Sequence, residues 1–98
     1  MTSKQRAFLK GLAMELTPVL QIGKGGLTPE VTEAVREAME NRELIKLGVL
    51  KNCSDDPREI GQILSERTHS ELVQVIGKKI VLYKEAKEPE KRKILLPK

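Results

Sequence analysis

The 98-residue sequence predicts an α/β (α+β) fold: a compact mixed four-stranded sheet packed with helices, in the order α-β-α-β-α-β-β. Three observations lead there. Apolar stripes at helical spacing alternate with short apolar runs suited to strands. Two of the helical stretches open on a cap residue followed by proline, Thr28-Pro29-Glu30 and Asp56-Pro57-Arg58-Glu59. The last two apolar runs are separated only by Gly77-Lys78, the spacing of a two-residue hairpin.

The first helix is expected from Ser3 to Leu16, capped by Thr2 or Ser3 and closed by Thr17-Pro18, because the residue before proline is steered away from the helical region. Its apolar stripe reads as Phe8, Leu9, Leu12 and Leu16, with Arg6 and Lys10 one turn apart on another side. Val19 to Ile22 forms a short strand. The second helix buries Val31, Ala34, Val35, Ala38 and Met39 and turns Glu33, Glu37 and Glu40 outward. Leu44 to Leu50 alternates as a strand with Ile45, Leu47 and Val49 on one face and Lys46 and Gly48 on the other. The third helix opens with Asp56 as cap and Glu59 three positions on, and buries Ile60, Ile63 and Leu64. ELVQVIG and KIVLYKE then make the hairpin, and 86–98 is a basic C-terminal tail; KEAKEPEKRK is expected to be solvated, while the ILLP segment after it has the means to dock. Strands joined through helices run parallel; the last two run antiparallel.

The length suits one domain, 1–98, with a modest core. No apolar run approaches the length of a membrane span, and no secretory signal precedes the first helix. A single cysteine, Cys53, excludes an internal disulfide and favours a cytoplasmic location. The net charge is +4 and is segregated along the chain. Residues 1–25 are net +3, 26–42 net −2, and 71–98 net +4. Basic ends around acidic middle segments suggest one positive face of the kind that meets nucleic acid.

Chemistry is sparse. His69 stands alone, so no histidine-based metal cluster forms within the chain, and it reads as the end of the third helix. Cys53 reads as a small semi-buried residue, and Asp55-Asp56 as loop and cap. The sequence offers no catalytic set, no cofactor motif and no small-molecule substrate site. With only Phe8 and Tyr83 as aromatics, and Phe8 assigned to the core, a base-stacking sheet platform is excluded. Backbone contact remains. Gly23-Lys24-Gly25-Gly26 fits G-x-x-G between a strand and a helix N-terminus, where bare main chain, exposed N–H groups, the helix dipole and one mobile lysine together suit a phosphate.

The stretches SKQRAFLKGLA, PVLQIGKGGLTPEV, NRELIKLGVL and VQVIGKKIVLYK, with the basic tail ending in ILLP, resemble in order a stand-alone bacterial CRM domain (chloroplast RNA splicing and ribosome maturation) of the YhbY type. The resemblance covers nearly the whole chain. It implies a fold similar to the C-terminal domain of bacterial translation initiation factor three. It also implies an RNA partner, ribosomal RNA or a large-subunit precursor. By that resemblance the RNA-contacting positions are Gly23, Lys24 and Gly26 in the loop, with Gly25 counted beside them at its variable position, Lys4, Arg6 and Lys10 on the first helix, Lys46 on the second strand, and Lys78 and Lys79 at the hairpin. The sequence departs from the family pattern at Gly25, in the variable loop position, and at Gly48, where a larger or basic residue is expected.

Two function classes stand side by side: a monomeric, non-catalytic RNA-binding protein, and an assembly adaptor that docks its acidic second helix on a basic ribosomal protein. A bound partner at the glycine loop and first helix distinguishes the former. One on Glu33, Glu37 and Glu40 distinguishes the latter.

Overall fold

The computed structural model describes residues Met1 to Lys98. Helix α1 (Ser3–Ala13) opens on a reciprocal cap: the Gln5 N–H donates to the Thr2 hydroxyl and the Thr2 N–H to the Gln5 side-chain oxygen, both at 3.1 Å. It ends one turn earlier than the sequence suggests. Hydrogen bonds from Met14 N–H to the Gly11 carbonyl and from Leu16 N–H to the Ala13 carbonyl tighten the chain before Pro18 is reached.

Strand β1 (Leu20–Ile22) leads through the glycine turn into α2 (Pro29–Asn41), whose Thr28 cap accepts from the Val31 N–H at 3.2 Å. Strand β2 (Leu44–Val49) is followed by α3 (Pro57–Arg67), where the Asp56 carboxylate accepts from Arg58 rather than from the third residue of the helix. His69 terminates α3 in the left-handed region, φ 55°. Its N–H reaches the Glu66 carbonyl while the Ser70 N–H reaches that of Ser65, the Schellman closure. Strands β3 (Glu71–Ile76) and β4 (Lys79–Tyr83) complete the sheet, in the order β1-β2-β4-β3.

β1 pairs parallel with β2, and β4 is antiparallel to both β2 and β3, so β1, β2 and β3 all point the same way. The sheet is covered on both faces. On one, α2 and α3 pack against Ile22, Ile45, Leu47, Val49, Ile80 and Leu82. On the other, α1 sets Leu9 and Ala13 against Leu44, Val73, Val81 and Tyr83. That is why β2 is buried along its length except at Lys46, where the sequence predicts a one-sided alternation. A bulge between Leu72 and Gln74 sends both Val73 and Gln74 to the α1 face.

Phe8 is corrected from core to surface: it is 40% exposed, and Leu12 is 41% exposed. The buried direction of α1 is centred on Leu9 and Ala13, because the small Ala13 lets the helix approach the sheet while Phe8 lies a quarter-turn away. Ile63 is likewise half-exposed on α3, where Ile60 and Leu64 carry the contact. The tail is not freely solvated. The buried Glu43 carboxylate accepts N–H bonds from Ala86 (3.0 Å), Lys93 (2.6 Å) and Ile94 (3.0 Å). Ile94 and Leu96 pack beside α1.

Candidate nucleic-acid interface

Because β1, β2 and β3 are co-directional, their carboxyl ends meet at one edge of the molecule, and the glycine turn, the β2–α3 connection and the β3–β4 hairpin gather there. The Leu50 N–H donates to the Ile22 carbonyl at 2.8 Å and the Val49 N–H to the Lys78 carbonyl at 2.7 Å. A side chain at Gly23 would touch Leu50 and Asn52. Carboxyl ends of parallel strands are where α/β sheets commonly present binding loops.

Within the glycine turn the Gly26 N–H donates to the Gly23 carbonyl at 2.9 Å, closing a β-turn that carries Lys24 and Gly25 at its exposed tip. The glycines are not equivalent. Gly26 is buried, has φ 65°, and a Cβ there would run into the Asp55 carboxylate. Gly23 and Gly25 have no positive φ, and a Cβ at either would meet only ordinary contacts, none closer than 3.5 Å. The fold requires glycine at 26; it leaves the bare backbone at 23 and 25 unexplained.

Next to this edge α1 leaves part of its sheet face uncovered. The groove so formed, about 490 Å³, is lined by Ala7, Lys10, Gly11 and Ala13 of α1 with Met14 just after it, Lys46 of β2, Gln74 and Ile76 of β3, and Lys79 and Val81 of β4. The sequence-derived Lys10, Lys46 and Lys79 therefore converge from three elements, and no carboxylate shares the lining. Lys24 and Lys78 stand exposed at the adjoining turns, and Lys4 is exposed on the N-terminal turn of α1, outside the groove. Arg6 is placed differently: its guanidinium donates to the Leu72 and Val73 carbonyls and ties α1 to the β3 bulge. Gln74, Ile76, Met14 and Gly11 escaped the sequence reading. Only Gly11, a glycine inside a helix, carried a signal.

The other features lie elsewhere. Above Gly48 lies the Gln21 side chain from the neighbouring strand, which occupies the space a larger residue would need. The acidic ridge of α2 is on the opposite layer from α1, and Arg36 pairs with Glu33 within it at 2.6 Å. No three His, Cys, Asp or Glu side chains are grouped as a metal site, and no helix is long and apolar enough to cross a membrane. Glu43 and Tyr83, whose titrations are displaced, sit at the far end of the sheet. Burial pushes the Glu43 carboxyl up, but the N–H groups of Ala86, Lys93 and Ile94, with Arg92, together hold it below its ordinary value. Burial, then Glu43 and Glu85, raise Tyr83.

The family model of the CRS1/YhbY (CRM) domain matches residues 1–84. The chain is 48% identical over 88 residues to the Bacillus subtilis "Probable RNA-binding protein YqeI", covering 90% of this chain and 92% of that one. It is 37% identical over 97 residues to an RNA-binding protein of Haemophilus influenzae, covering 99% and 95%. The solution structure of the hypothetical protein SAV1595 from Staphylococcus aureus, itself proposed to bind RNA, superposes with a TM-score of 0.81 at 47% identity, covering 99% of both chains.

Proposed function

The chain belongs to the CRS1/YhbY (CRM) domain family, and from that premise we propose that it is a non-catalytic RNA-binding protein whose partner is structured ribosomal RNA in large-subunit precursors. The observation that carries the reading is the convergence of Lys10, Lys46 and Lys79 from three elements around one groove free of acid, beside a glycine turn whose tip, Lys24 and Gly25, is exposed. Lysines placed this way neutralise consecutive phosphates without reading bases. At the turn, Gly23 and Gly25 leave the main chain open to a sugar-phosphate backbone, and Lys24 supplies a charge at its tip. The first turn of α2 contributes its dipole, weakened by Glu30. The adaptor reading has less behind it, since Arg36 already engages Glu33 on the acidic ridge.

The test is the double substitution Lys24→Asp with Gly25→Asp. Both positions are exposed and neither has a positive φ, so thermal melts should match the parent. Two carboxylates at the tip repel phosphate, and affinity for a structured RNA fragment should drop at least about tenfold, roughly 1.4 kcal/mol, at moderate salt. Unchanged affinity with an unchanged melt would reduce the loop to a turn.

A further inference from the structure

We infer that the groove between α1 and the carboxyl-end half of the sheet is a pocket for one unpaired nucleotide, extruded from the bound RNA with its base against Met14 and Ile76 and its flanking phosphates on Lys10, Lys46 and Lys79. This rests on the RNA-binding reading and adds a site to it.

Phosphate contact alone explains lysines, but it does not explain the walls between them. Ile76 is 60% exposed and Met14 82% exposed, on either side of a cavity that no other part of the chain fills. Gly11 forms part of the helix wall. A Cβ there would meet nothing within 4 Å, so glycine is not needed for packing, and glycine in a helix interior is unfavourable relative to alanine. Its effect is to widen the groove. The volume, about 490 Å³, falls in the range of small-ligand sites, which are typically apolar with a few placed polar groups.

The chemistry of the rim selects the occupant. Three lysines and no carboxylate suit an anion, and Ala7, Ala13, Met14, Ile76 and Val81 between them suit an apolar body; an unpaired nucleotide has both parts. No aromatic side chain lines the groove, so the base would be held by aliphatic contact and by the polarizable Met14 sulfur rather than by ring stacking. Gln74 bears the only side-chain amide of the lining, a donor and an acceptor for a base edge. The β3 bulge is what turns Gln74 toward this face beside Val73. Unpaired bases are the cheapest to extrude, since pairing is already absent.

The experiment compares a short RNA hairpin carrying a single-nucleotide 2-aminopurine bulge with the same hairpin lacking it, for the parent protein and for Gly11→Leu. The parent should favour the bulged hairpin by about tenfold and change the 2-aminopurine fluorescence on binding. Gly11→Leu fills the groove from an open position; it should bind both hairpins with the parent's affinity for the unbulged one and leave the fluorescence unchanged. Ile76→Ser, which removes the opposite wall at an exposed site, should do the same should the leucine variant fail to fold. Retention of the bulge preference by a folded groove variant overturns the pocket, as does equal parental affinity for both hairpins. Equal weakening toward both hairpins in a variant that melts like the parent also overturns it, making the groove a general RNA surface. Failure of the parent to bind either hairpin removes the RNA-binding reading itself.

Discussion

At the scale of single residues, the glycine turn separates what the fold requires from what it leaves free. Gly26→Ala should be destabilising by about 1–2 kcal/mol for the left-handed backbone alone, and more because Asp55 must move. Gly25→Ala, at the open tip, should change stability by less than about 0.5 kcal/mol. Parallel thermal melts check both, and equal losses at the two positions would contradict the assignment. The sequence made the G-x-x-G pattern legible but could not rank its glycines, because the left-handed backbone at 26 and the Asp55 carboxylate that comes to lie over it are set only by the folded turn. Arg6 is the converse case. Its spacing from Lys10 placed it on the basic side of the helix, whereas the carbonyls exposed by the β3 bulge claim its guanidinium. Bulges arise from pairing between strands, which a single sequence does not reveal.

At the scale of elements, the caps, the glycine turn and the hairpin were readable because each depends on residues a few positions apart. Gly77, with φ 55°, takes the first hairpin position that a two-residue turn of this class reserves for glycine. What escaped was the rotation of α1, set by how closely Ala13 lets it approach the sheet, and the anchoring of the tail that precedes the docked ILLP segment. The tail depends on Glu43, a residue that looks like any surface glutamate until the chain returns to it. Glu43→Ala should cost about 1.5–3 kcal/mol, the usual worth of hydrogen bonds to a charged group, with the loss concentrated in residues 86–96. Acid should act the same way. The folded Glu43 binds its proton less readily than an unfolded glutamate, so its contribution is complete above the ordinary glutamate value and is lost as pH falls through its own lower value. Hydrogen-exchange protection of the Ala86, Lys93 and Ile94 amides, measured relative to the β4 amides, should therefore fall on acidification in the parent. In Glu43→Gln it should be low throughout. Protection independent of both pH and Glu43 would show that packing of Ile94 and Leu96 suffices to hold the tail.

At the scale of the whole molecule, the segregation of charge along the sequence is kept in part between layers, although Lys84, Lys87 and Lys91 of the C-terminal stretch lie beside Glu40 of α2. Lys10, Lys46 and Lys79 belong to the α1 face, and Glu33, Glu37 and Glu40 to a helix on the opposite face. The shortest extent of the molecule is 22 Å, about two Debye lengths at 0.1 M salt, so charges on one face are largely screened from a partner on the other. RNA affinity should consequently follow the charge of one face rather than the net charge. Substituting Lys10, Lys46 and Lys79 together by alanine should flatten the slope of log affinity against log salt by roughly 2–3, about 0.7–0.9 for each phosphate no longer neutralised. The matched variant Glu33→Gln, Glu37→Gln and Glu40→Gln changes the net charge by as much but should leave that slope nearly unaltered. Backbone contacts also carry little base information, so unrelated structured RNAs of similar size and equal bulge content should bind within about tenfold of one another. A salt series of RNA titrations on the three proteins measures all of this at once. Equal and opposite shifts from the lysine and glutamate variants would mean that RNA senses only the overall charge, and the face defined by α1 and the strand ends would lose its claim to be the interface.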